Sequence, residues 1–590
     1  MTTAMTTDKQ WWKEATVYQV YPSSFCDGNG DGLGDLKGIT SKVDYLHQLG
    51  VDVLWLSPIY DSPQKDMGYD ISDYRKLYEP YGDLNDWDNL RDALHSKGMK
   101  IMMDLVVNHT SDQHEWFKQS RSSKNSPFRD WYIWKPARTG SNGERLPPNN
   151  WACVFGKESA WAWDEETQEY YLHLYVTEQP DLNWDNPKVR NAVWDIMKFW
   201  LDRGCDGFRM DVINLISKTP GLPDARQIVD GEFLQPSYEH TANGPNVHKY
   251  LKEMYDQVLS KYDTITVGET PFTHDTDILS QYSLSSNKEL QMVFTFELHD
   301  IDGNKNDPMI VRKFNLSEFK SIIEKYQCEL FDKGGWNALY FANHDQARSI
   351  SRFANDNDEY RSLSSKLIAT LQHSLSGTTY IYQGEEIAMR NVNNQTWSIK
   401  DFPDVATQMY WRAKLQERIK QTGQQNPDMS DVEQNILRKA RDNARVPIQW
   451  TAGPQAGFTT GKPWMRVNVE DAQHYNVEDL LKQPDSVINY WRRIIKARKA
   501  NPVLIYGDFT LLDKDNEQIF AYIRSNESNK ALVLLNFSNN VNKFLLSETV
   551  SREFKQSTLL IHNYGNDKDR TMLEHDEIEL RPWEAMIYLV

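Results

Sequence analysis

Eight short apolar runs, each rich in β-branched or aromatic residues, recur along the first two thirds of the chain: 16–21 (TVYQVY), 51–56 (VDVLWL), 101–107 (IMMDLVV), 207–211 (GFRMD), 264–269 (TITVGE), 291–296 (QMVFTF), 338–342 (ALYFA) and 379–382 (TYIY). Amphipathic stretches such as 86–95 and 191–201 lie between several of them. Strands that are apolar throughout belong to a parallel sheet covered on both faces, and the alternation is that of βα units. Eight such units argue for a closed (β/α)8 TIM barrel over an open sheet.

The chain has 590 residues, about four domain-equivalents at roughly 150 residues each, although one barrel absorbs 250 or more. Two intervals are too long for ordinary βα loops. Residues 110–181, with Pro147-Pro148-Asn149-Asn150-Trp151, read as an inserted loop-rich subdomain after strand three, and 384–460 as a second loop-rich insertion after strand eight. Beyond Asn501-Pro502 the texture changes to short strands such as 518–524 (QIFAYIR) and 531–537 (ALVLLNF). The expected layout is a barrel over 11–109 and 182–502, the insertion, and a C-terminal antiparallel β-sandwich domain at 503–590.

Lys plus Arg number 66 against 84 Asp plus Glu, a net charge of −18 without an acidic tail. That sign repels phosphate backbones and anionic lipid, which argues against nucleic acid and membrane partners. No apolar run is long enough to span a bilayer, and the opening MTTAMTTDKQWWKEA has no signal-peptide core, so a soluble cytoplasmic monomer is expected. Cys26, Cys153, Cys205 and Cys328 are far apart with no CxxC pair, which suggests reduced thiols. Aromatic residues reach 12%, including 20 Trp, a composition that suits sugar faces as well as packing.

The charged residues at strand ends narrow the chemistry. Barrel catalysis sits where the strands end. Asp211, Glu269 and Asp345 follow the apolar segments Phe208-Arg209-Met210, Thr266-Val267-Gly268 and Phe341-Ala342-Asn343-His344. One carboxylate so placed is better explained as a helix cap or an ion pair with a neighbouring Arg. Three on one rim suit glycosidic bond cleavage, in which one acts as nucleophile, one as general acid, and the transition state is cationic.

Asp104-Leu-Val-Val-Asn108-His109, Gly207-Phe-Arg209-Met-Asp211, Val267-Gly-Glu269 and Asn343-His344-Asp345 resemble the four signature regions of the α-amylase family, glycoside hydrolase family 13, and Gln179-Pro-Asp-Leu-Asn183 resembles the further region of its oligosaccharide-cleaving branch. Within the family the chain is most similar to oligo-1,6-glucosidases and fungal isomaltase and maltase enzymes. The resemblance implies that Asp211 is the nucleophile, Glu269 the acid/base and Asp345 the carboxylate that grips the sugar hydroxyls. Arg209, two residues before Asp211 and on the same face of the strand, is expected to hold the nucleophile ionised. His109 and His344 are implied donors to sugar hydroxyls. Asp66-Met-Gly-Tyr69-Asp70 resembles the motif whose Asp binds the outer hydroxyls and whose Tyr stacks beneath the sugar, and Arg445 matches the Arg that pairs with that Asp to close the pocket for exo action. Phe155 is the implied wall residue, in a segment one residue longer than the family's.

Asp27-Gly-Asn29-Gly-Asp31-Gly-Leu33-Gly-Asp35 places oxygen ligands at alternate positions of a Gly-rich loop, with Leu33 offering its carbonyl. That pattern suits a hard cation of flexible coordination; the alternative is an acidic turn without metal. The family carries calcium here, so a structural Ca2+ is expected. Val212 follows the nucleophile, and in the resemblance set Val at this place accompanies α-1,6 bonds whereas Thr accompanies α-1,4. The expected activity is therefore a retaining exo-α-glucosidase on isomaltose and short isomalto-oligosaccharides. The alternatives are an α-1,4-preferring maltase and a sucrose isomerase or transglucosidase; the stretch 297–304 (ELHDIDGN) lacks the isomerase's Arg-rich pattern. A non-catalytic scaffold is disfavoured because all three acids are present.

Overall fold

A computed structural model describes residues 9–156, 158–304, 307–565, 573 and 576–590. The eight expected runs form eight parallel strands: β1 (Thr16–Val20), β2 (Val53–Leu56), β3 (Lys100–Leu105), β4 (Gly207–Met210), β5 (Ile265–Glu269), β6 (Met292–Phe294), β7 (Ala338–Leu339) and β8 (Thr378–Tyr382). Their order is β6-β5-β4-β3-β2-β1-β8-β7, and a parallel bridge between Val293 and Asn337 joins the two ends. The sheet is thus a closed barrel.

The continuous apolar runs have a simple cause. Alternate residues point to opposite faces of a strand, and both faces are buried here. Val17, Val53, Trp55, Met102, Ile265, Val267, Met292, Phe294 and Tyr380 cluster in the barrel interior. Tyr18, Val20, Leu54, Leu56, Ile101, Met103, Leu105 and Phe208 pack outward against the helices. The exceptions among inward residues are polar and near the strand ends. Arg209 of β4 is in register with Asp104 of β3, and both are 1% exposed. A buried charge must be paired, so this register commits the upper barrel to an ion cluster.

The two expected helices are Leu84–His95, whose N-cap Asp83 forms a capping box with Asp86, and Pro187–Asp202, capped by Asn186 with Pro at its first position. The inserted subdomain leaves and rejoins at one bridge, His109 to Asp181. It is more regular than its sequence suggests, with a helix at Glu115–Ser122 and a three-stranded sheet from Trp134–Lys135, Glu169–Leu172 and Trp161–Asp164. The region 384–460 is likewise not loop-rich: it holds helices Val405–Thr422, Ser430–Lys439 and Asp442–Arg445. Along the 18 residues of Val405–Thr422 only Thr407 is buried, so the helix has no apolar stripe to betray it.

The C-terminal sheet begins at Asp508, after a short helix Val503–Tyr506. Strands β9 (Asp508–Leu512), β10 (Ile519–Ser525), β11 (Lys530–Asn536), β13 (Thr558–His562) and β15 (Ala585–Leu589) form one antiparallel sheet, and β12 (Asn542–Leu545) pairs with β14 (Glu577–Leu580) in a second. Phe520, Tyr522, Val533 and Ile587 face the barrel's core, whereas Ala521, Leu532, Leu534 and Met586 pack with Phe544, Ile578 and Leu580 of the small sheet. The expected sandwich is present, with a reduced outer layer. All four cysteines are free, as expected.

The seam between barrel and β-domain is held by two buried arginines that bind carbonyls instead of acids. Arg498 Nη1 donates to the carbonyls of His373, Leu375 and Leu504 at 2.9, 2.7 and 3.0 Å, and Arg524 Nη1 donates to that of Ser374 at 2.6 Å. Arg498→Met would strand several buried acceptors. We expect a loss of roughly 3 kcal/mol, read as a fall in the melting temperature, with the kinetics of the folded fraction unchanged.

Candidate active site

The ends of β3, β4 and β5 place three carboxylates around one guanidinium. Arg209 Nη1 binds Asp104 Oδ1 at 2.8 Å and Asp211 Oδ1 at 2.7 Å, and its Nη2 binds Glu269 Oε2 at 2.7 Å. All four side chains are buried. Three acids to one cation leave net negative charge in a dry site, so the last proton is hard to remove. Burial, opposed by Arg209, raises Asp104 to about 6. Burial raises Asp211 to about 7, against the pull of Arg209 and with a push from Asp104. Glu269 goes furthest: burial raises it to about 8, Arg209 opposes, and Asp211 and Asp345 add to the rise. Arg209 was expected to hold Asp211 ionised; it pulls both Asp211 and Glu269 down, but burial outweighs it and both end raised.

The backbone between them is strained. Val212 has φ 36° and ψ 42°, a left-handed conformation rare for a β-branched residue. This turn aims the Val212 amide at Glu269 Oε2, 3.1 Å away. The Val212 side chain is 6% exposed and packs with Trp151, Tyr175 and Leu215, so the inserted subdomain reaches the nucleophile's neighbour.

On the opposite side, His344 Nε2 lies 2.6 Å from the Tyr69 hydroxyl and 3.2 Å from Asp345 Oδ2, while Gln19 Nε2 donates to its Nδ1 at 2.8 Å. Burial lowers His344 to about 3, so it works as a neutral donor. The Tyr69 ring stacks on it at 5.2 Å and 4°, and its hydroxyl also reaches Asp104 Oδ2 at 3.2 Å. Burial works against the ionised form of Asp345, but the Arg441 and Arg445 guanidiniums, each 2.9 Å away, overcome it and hold this carboxyl well below the usual range, the neutral His344 adding only a polar contact.

One expected pairing is corrected. Arg445 does not close the pocket on Asp66: its Nη1 binds Asp404 at 2.7 Å, its Nη2 binds Asp345 at 2.9 Å, and its Nε donates to the His344 carbonyl at 3.1 Å. The partner of Asp66 is Arg441, at 2.8 Å, which also binds Asp345 and Asp404, each at 2.9 Å. Both arginines lie on Asp442–Arg445 or just before it, four residues apart, and one helical turn puts both on the same side. Asp404 caps the helix Val405–Thr422 and receives the two guanidiniums. Arg441 and Asp404 were missed, although the spacing Arg441-x-x-x-Arg445 was visible.

Phe155 is half-buried, with the Arg441 guanidinium 5.0 Å from its ring and Tyr175 5.1 Å away, so it belongs to the same wall. His109 Nε2 donates to the Tyr69 carbonyl at 3.1 Å and lies 3.2 Å from Gln179 Nε2. Gln179 in turn donates to Asp66 Oδ2 at 3.2 Å. Lys218 binds Asp181 at 2.6 Å and the Asn108 side-chain oxygen at 2.9 Å, tying the insertion's neck to the β4 loop. Gln179 and Asp181 were quoted in a resembling motif without a role, and Lys218 was missed.

The Asp27–Asp35 loop lies apart from these groups and is knit by its own amides. Asp27 accepts from the amides of Asn29, Gly30 and Gly32 and from Thr459 Oγ1, Asp31 from the amide of Leu33, and Asp35 from those of Gly28 and Gly38. Among the described residues no three or more His, Cys, Asp or Glu side chains converge to hold a metal ion.

A barrel with Asp211, Glu269 and Asp345 gathered on its C-terminal rim suits a glycoside hydrolase, and comparison with known proteins agrees with that class. Residues 19–507 match the model for the α-amylase catalytic domain, and 519–587 that for the SusG-type C-terminal domain of an α-amylase. The chain belongs to the α-amylase family. It is 48% identical to an oligo-1,6-glucosidase of Bacillus cereus over 98% of this chain and 99% of the relative, and 44% identical to an α-glucosidase of Schizosaccharomyces pombe over 98% and 97%. Among solved structures it is similar to the trehalose-6-phosphate hydrolase of Bacillus licheniformis (TM-score 0.89, 39% identity, 98% of this chain and 100% of that one) and the isomaltulose synthase of Protaminobacter rubrum (0.89, 39%, 98% and 99%). The protein is a glycoside hydrolase with glucosidase relatives.

The ordering of the two acids predicts a narrow bell-shaped pH profile of kcat/KM. With Asp211 as the expected nucleophile and Glu269 as the expected acid, activity rises as Asp211 ionises near pH 7 and falls as Glu269 loses its proton near pH 8. Arg209→Gln should raise both limbs and cost at least about a thousandfold in kcat/KM; limbs that stay in place would show that the guanidinium does not set them.

Proposed function

We propose that the protein is a retaining, exo-acting α-glucosidase that releases glucose from the non-reducing end of short α-glucosides and prefers α-1,6 bonds. The observation that carries this reading is the pair of 2.7 Å contacts by which one guanidinium holds Asp211 and Glu269 side by side. Sharing one guanidinium favours the short carboxyl separation of retaining enzymes, about 5 to 5.5 Å, over the wider one, about 6.5 to 9.5 Å, that leaves room for an inverting enzyme's water.

In the first step the Asp211 carboxylate attacks the anomeric carbon while Glu269 gives its proton to the departing glycosidic oxygen. The bond to the leaving sugar breaks and an ester to Asp211 forms. Glu269, now ionised, takes a proton from water as the water oxygen attacks the same carbon, releasing glucose with its configuration retained and restoring both acids. Asp345 remains ionised throughout, as a carboxylate facing a cationic transition state should. Arg441, joined to Asp66, Asp345 and Asp404, blocks one end of the pocket, so only a terminal glucose fits.

The bond preference rests on Val212. Thr has the same shape with one added hydroxyl, so the exchange alters polarity beside the leaving group with little change in volume. Wild type should show higher kcat/KM on isomaltose than on maltose, Val212→Thr should narrow or reverse that ratio, and Asp211→Asn should lose at least about four orders of magnitude on both. Sucrose should give glucose and fructose without an isomerised disaccharide. A preference for maltose with no cleavage of isomaltose overturns the α-1,6 assignment.

A structural Ca2+ at Asp27, Asn29, Asp31, Leu33 and Asp35 is a second proposal, which rests on the spacing of oxygen donors along this loop. Its oxygen donors sit at alternate positions, and Asp27 keeps an ionised carboxyl because hydrogen bonds from Thr459 and the loop amides outweigh burial. The ion would brace the loop without touching the substrate. Chelation should lower the melting temperature by a few degrees and calcium should restore it; a melting temperature indifferent to both means the loop needs no metal.

A further inference from the structure

Every side chain on β1 is buried, yet one of them is an amide. Gln19 is 1% exposed and shares the face of Val17, which packs in the barrel interior; it is in register with Trp55 of β2 and Tyr382 of β8. A buried amide has two N–H donors and an oxygen acceptor to satisfy. Gln19 Nε2 meets two acceptors, His344 Nδ1 at 2.8 Å and Ser57 Oγ at 3.1 Å, whereas its Oε1 meets no donor among the described residues. Turned over, the amide would offer Oε1 to those two neighbours and leave both N–H bonds of Nε2 buried without an acceptor. Two stranded donors cost more than one idle carbonyl oxygen, so the amide donates to Nδ1.

That orientation decides where the imidazole proton sits. Neutral His344 carries one ring proton, and with Nδ1 accepting from Gln19 the proton is on Nε2. Nε2 faces the Tyr69 hydroxyl at 2.6 Å and Asp345 Oδ2 at 3.2 Å. The Tyr69 oxygen therefore accepts, and its own proton is left for Asp104 Oδ2 at 3.2 Å, an oxygen that Trp55 Nε1 also reaches at 3.3 Å. Asp104 Oδ1 lies on Arg209. Every hydrogen bond from Gln19 to Asp104 thus points the same way. In the opposite tautomer the direction reverses at the ring: Tyr69 would donate to Nε2, Asp104 would lose that proton, and a nitrogen lone pair would face the Asp345 carboxylate. Rotation of the ring offers no way out, because Tyr21 and Tyr69 lie nearly parallel to it, at 6.2 Å and 18° and at 5.2 Å and 4°.

We propose that Gln19 is a positioning residue for the catalytic rim: by donating to Nδ1 it holds His344 as the Nε2–H tautomer, presents a proton beside Asp345, and turns the Tyr69 hydroxyl toward Asp104. It acts through His344, on groups that its own amide does not bind. A single amide on β1 thereby sets the direction of the hydrogen bonds that join the Asp345 side of the site to the Arg209 side. The kinetic consequence rests on the glucosidase reading above; the tautomer itself follows from the hydrogen bonds.

The test joins a spectrum to a double-mutant cycle. With the histidine rings isotopically labelled for nitrogen NMR, His344 of the wild type, assigned by the signals lost in His344→Gln, should show a bare Nδ1 and a protonated Nε2. A protonated Nδ1 overturns the proposal without recourse to any variant of Gln19. Gln19→Met keeps the length of the side chain and removes the donor; it should lower kcat/KM on p-nitrophenyl α-glucoside about tenfold to a hundredfold, chiefly through kcat. Made in the His344→Gln background, the same exchange should change kcat/KM by less than about twofold, because the residue it acts through is gone. Equal losses in both backgrounds would mean that Gln19 only packs, and would overturn the proposal. Wild-type protein that shows the Nε2–H form but cleaves no α-glucoside would instead overturn the glucosidase reading and leave the tautomer assignment standing.

Discussion

The architecture of the catalytic rim depends on one buried cation. Arg209 is 1% exposed and carries Asp104, Asp211 and Glu269. Burying a guanidinium is tolerable only with close, well-aligned partners, and burying three acids is tolerable only if some share a proton or a cation. Each group makes the others affordable. The result is a hydrogen-bonded path that continues from Asp104 through Tyr69 and His344 to Asp345, so Asp211, Glu269 and Asp345 belong to a single network. Such a network fixes rotamers before substrate arrives, and fixed charges in a dry site stabilise a cationic transition state more than mobile ones do.

A second cation-rich knot closes the other end. Arg441 and Arg445 share Asp404 and Asp345, and Arg441 adds Asp66. Here the balance is reversed: two guanidiniums keep Asp345 ionised while, across the site, surplus acid keeps Glu269 protonated. Opposite excesses of charge set the roles of chemically similar carboxyls, which is the general way one site runs acid and nucleophile chemistry near neutral pH. The strained Val212 and Phe272 stand beside the nucleophile and beyond the acid, where stored strain is found when the surroundings over-determine it.

Much of this was legible in the sequence, for physical reasons. A strand buried on both faces is apolar throughout, so all eight barrel strands stood out, and polar residues interrupting them at one end marked the rim. What escaped notice depends on tertiary register. Asp104 was part of a quoted motif, but its place on Arg209 follows from the pairing of β3 with β4. Arg441 and Arg445 are equally plausible partners for Asp66 from sequence; which one reaches it is decided by the short helix Asp442–Arg445 and by Asp404 at the head of a long helix. That long helix was read as loop because its apolar side chains, such as Tyr410, Trp411 and Leu415, are only half-buried and make no continuous stripe.

The central claim is that Asp211, held beside Glu269 by a shared arginine, bonds covalently to glucose. The direct test is to incubate Glu269→Gln with α-glucosyl fluoride, whose departure needs no proton from residue 269, and to digest the protein for mass spectrometry. With the base removed, the ester should form and persist, and the mass of one glucosyl residue should appear on the peptide containing Asp211. Turnover with no labelled peptide, or a label on another carboxylate, would contradict the account.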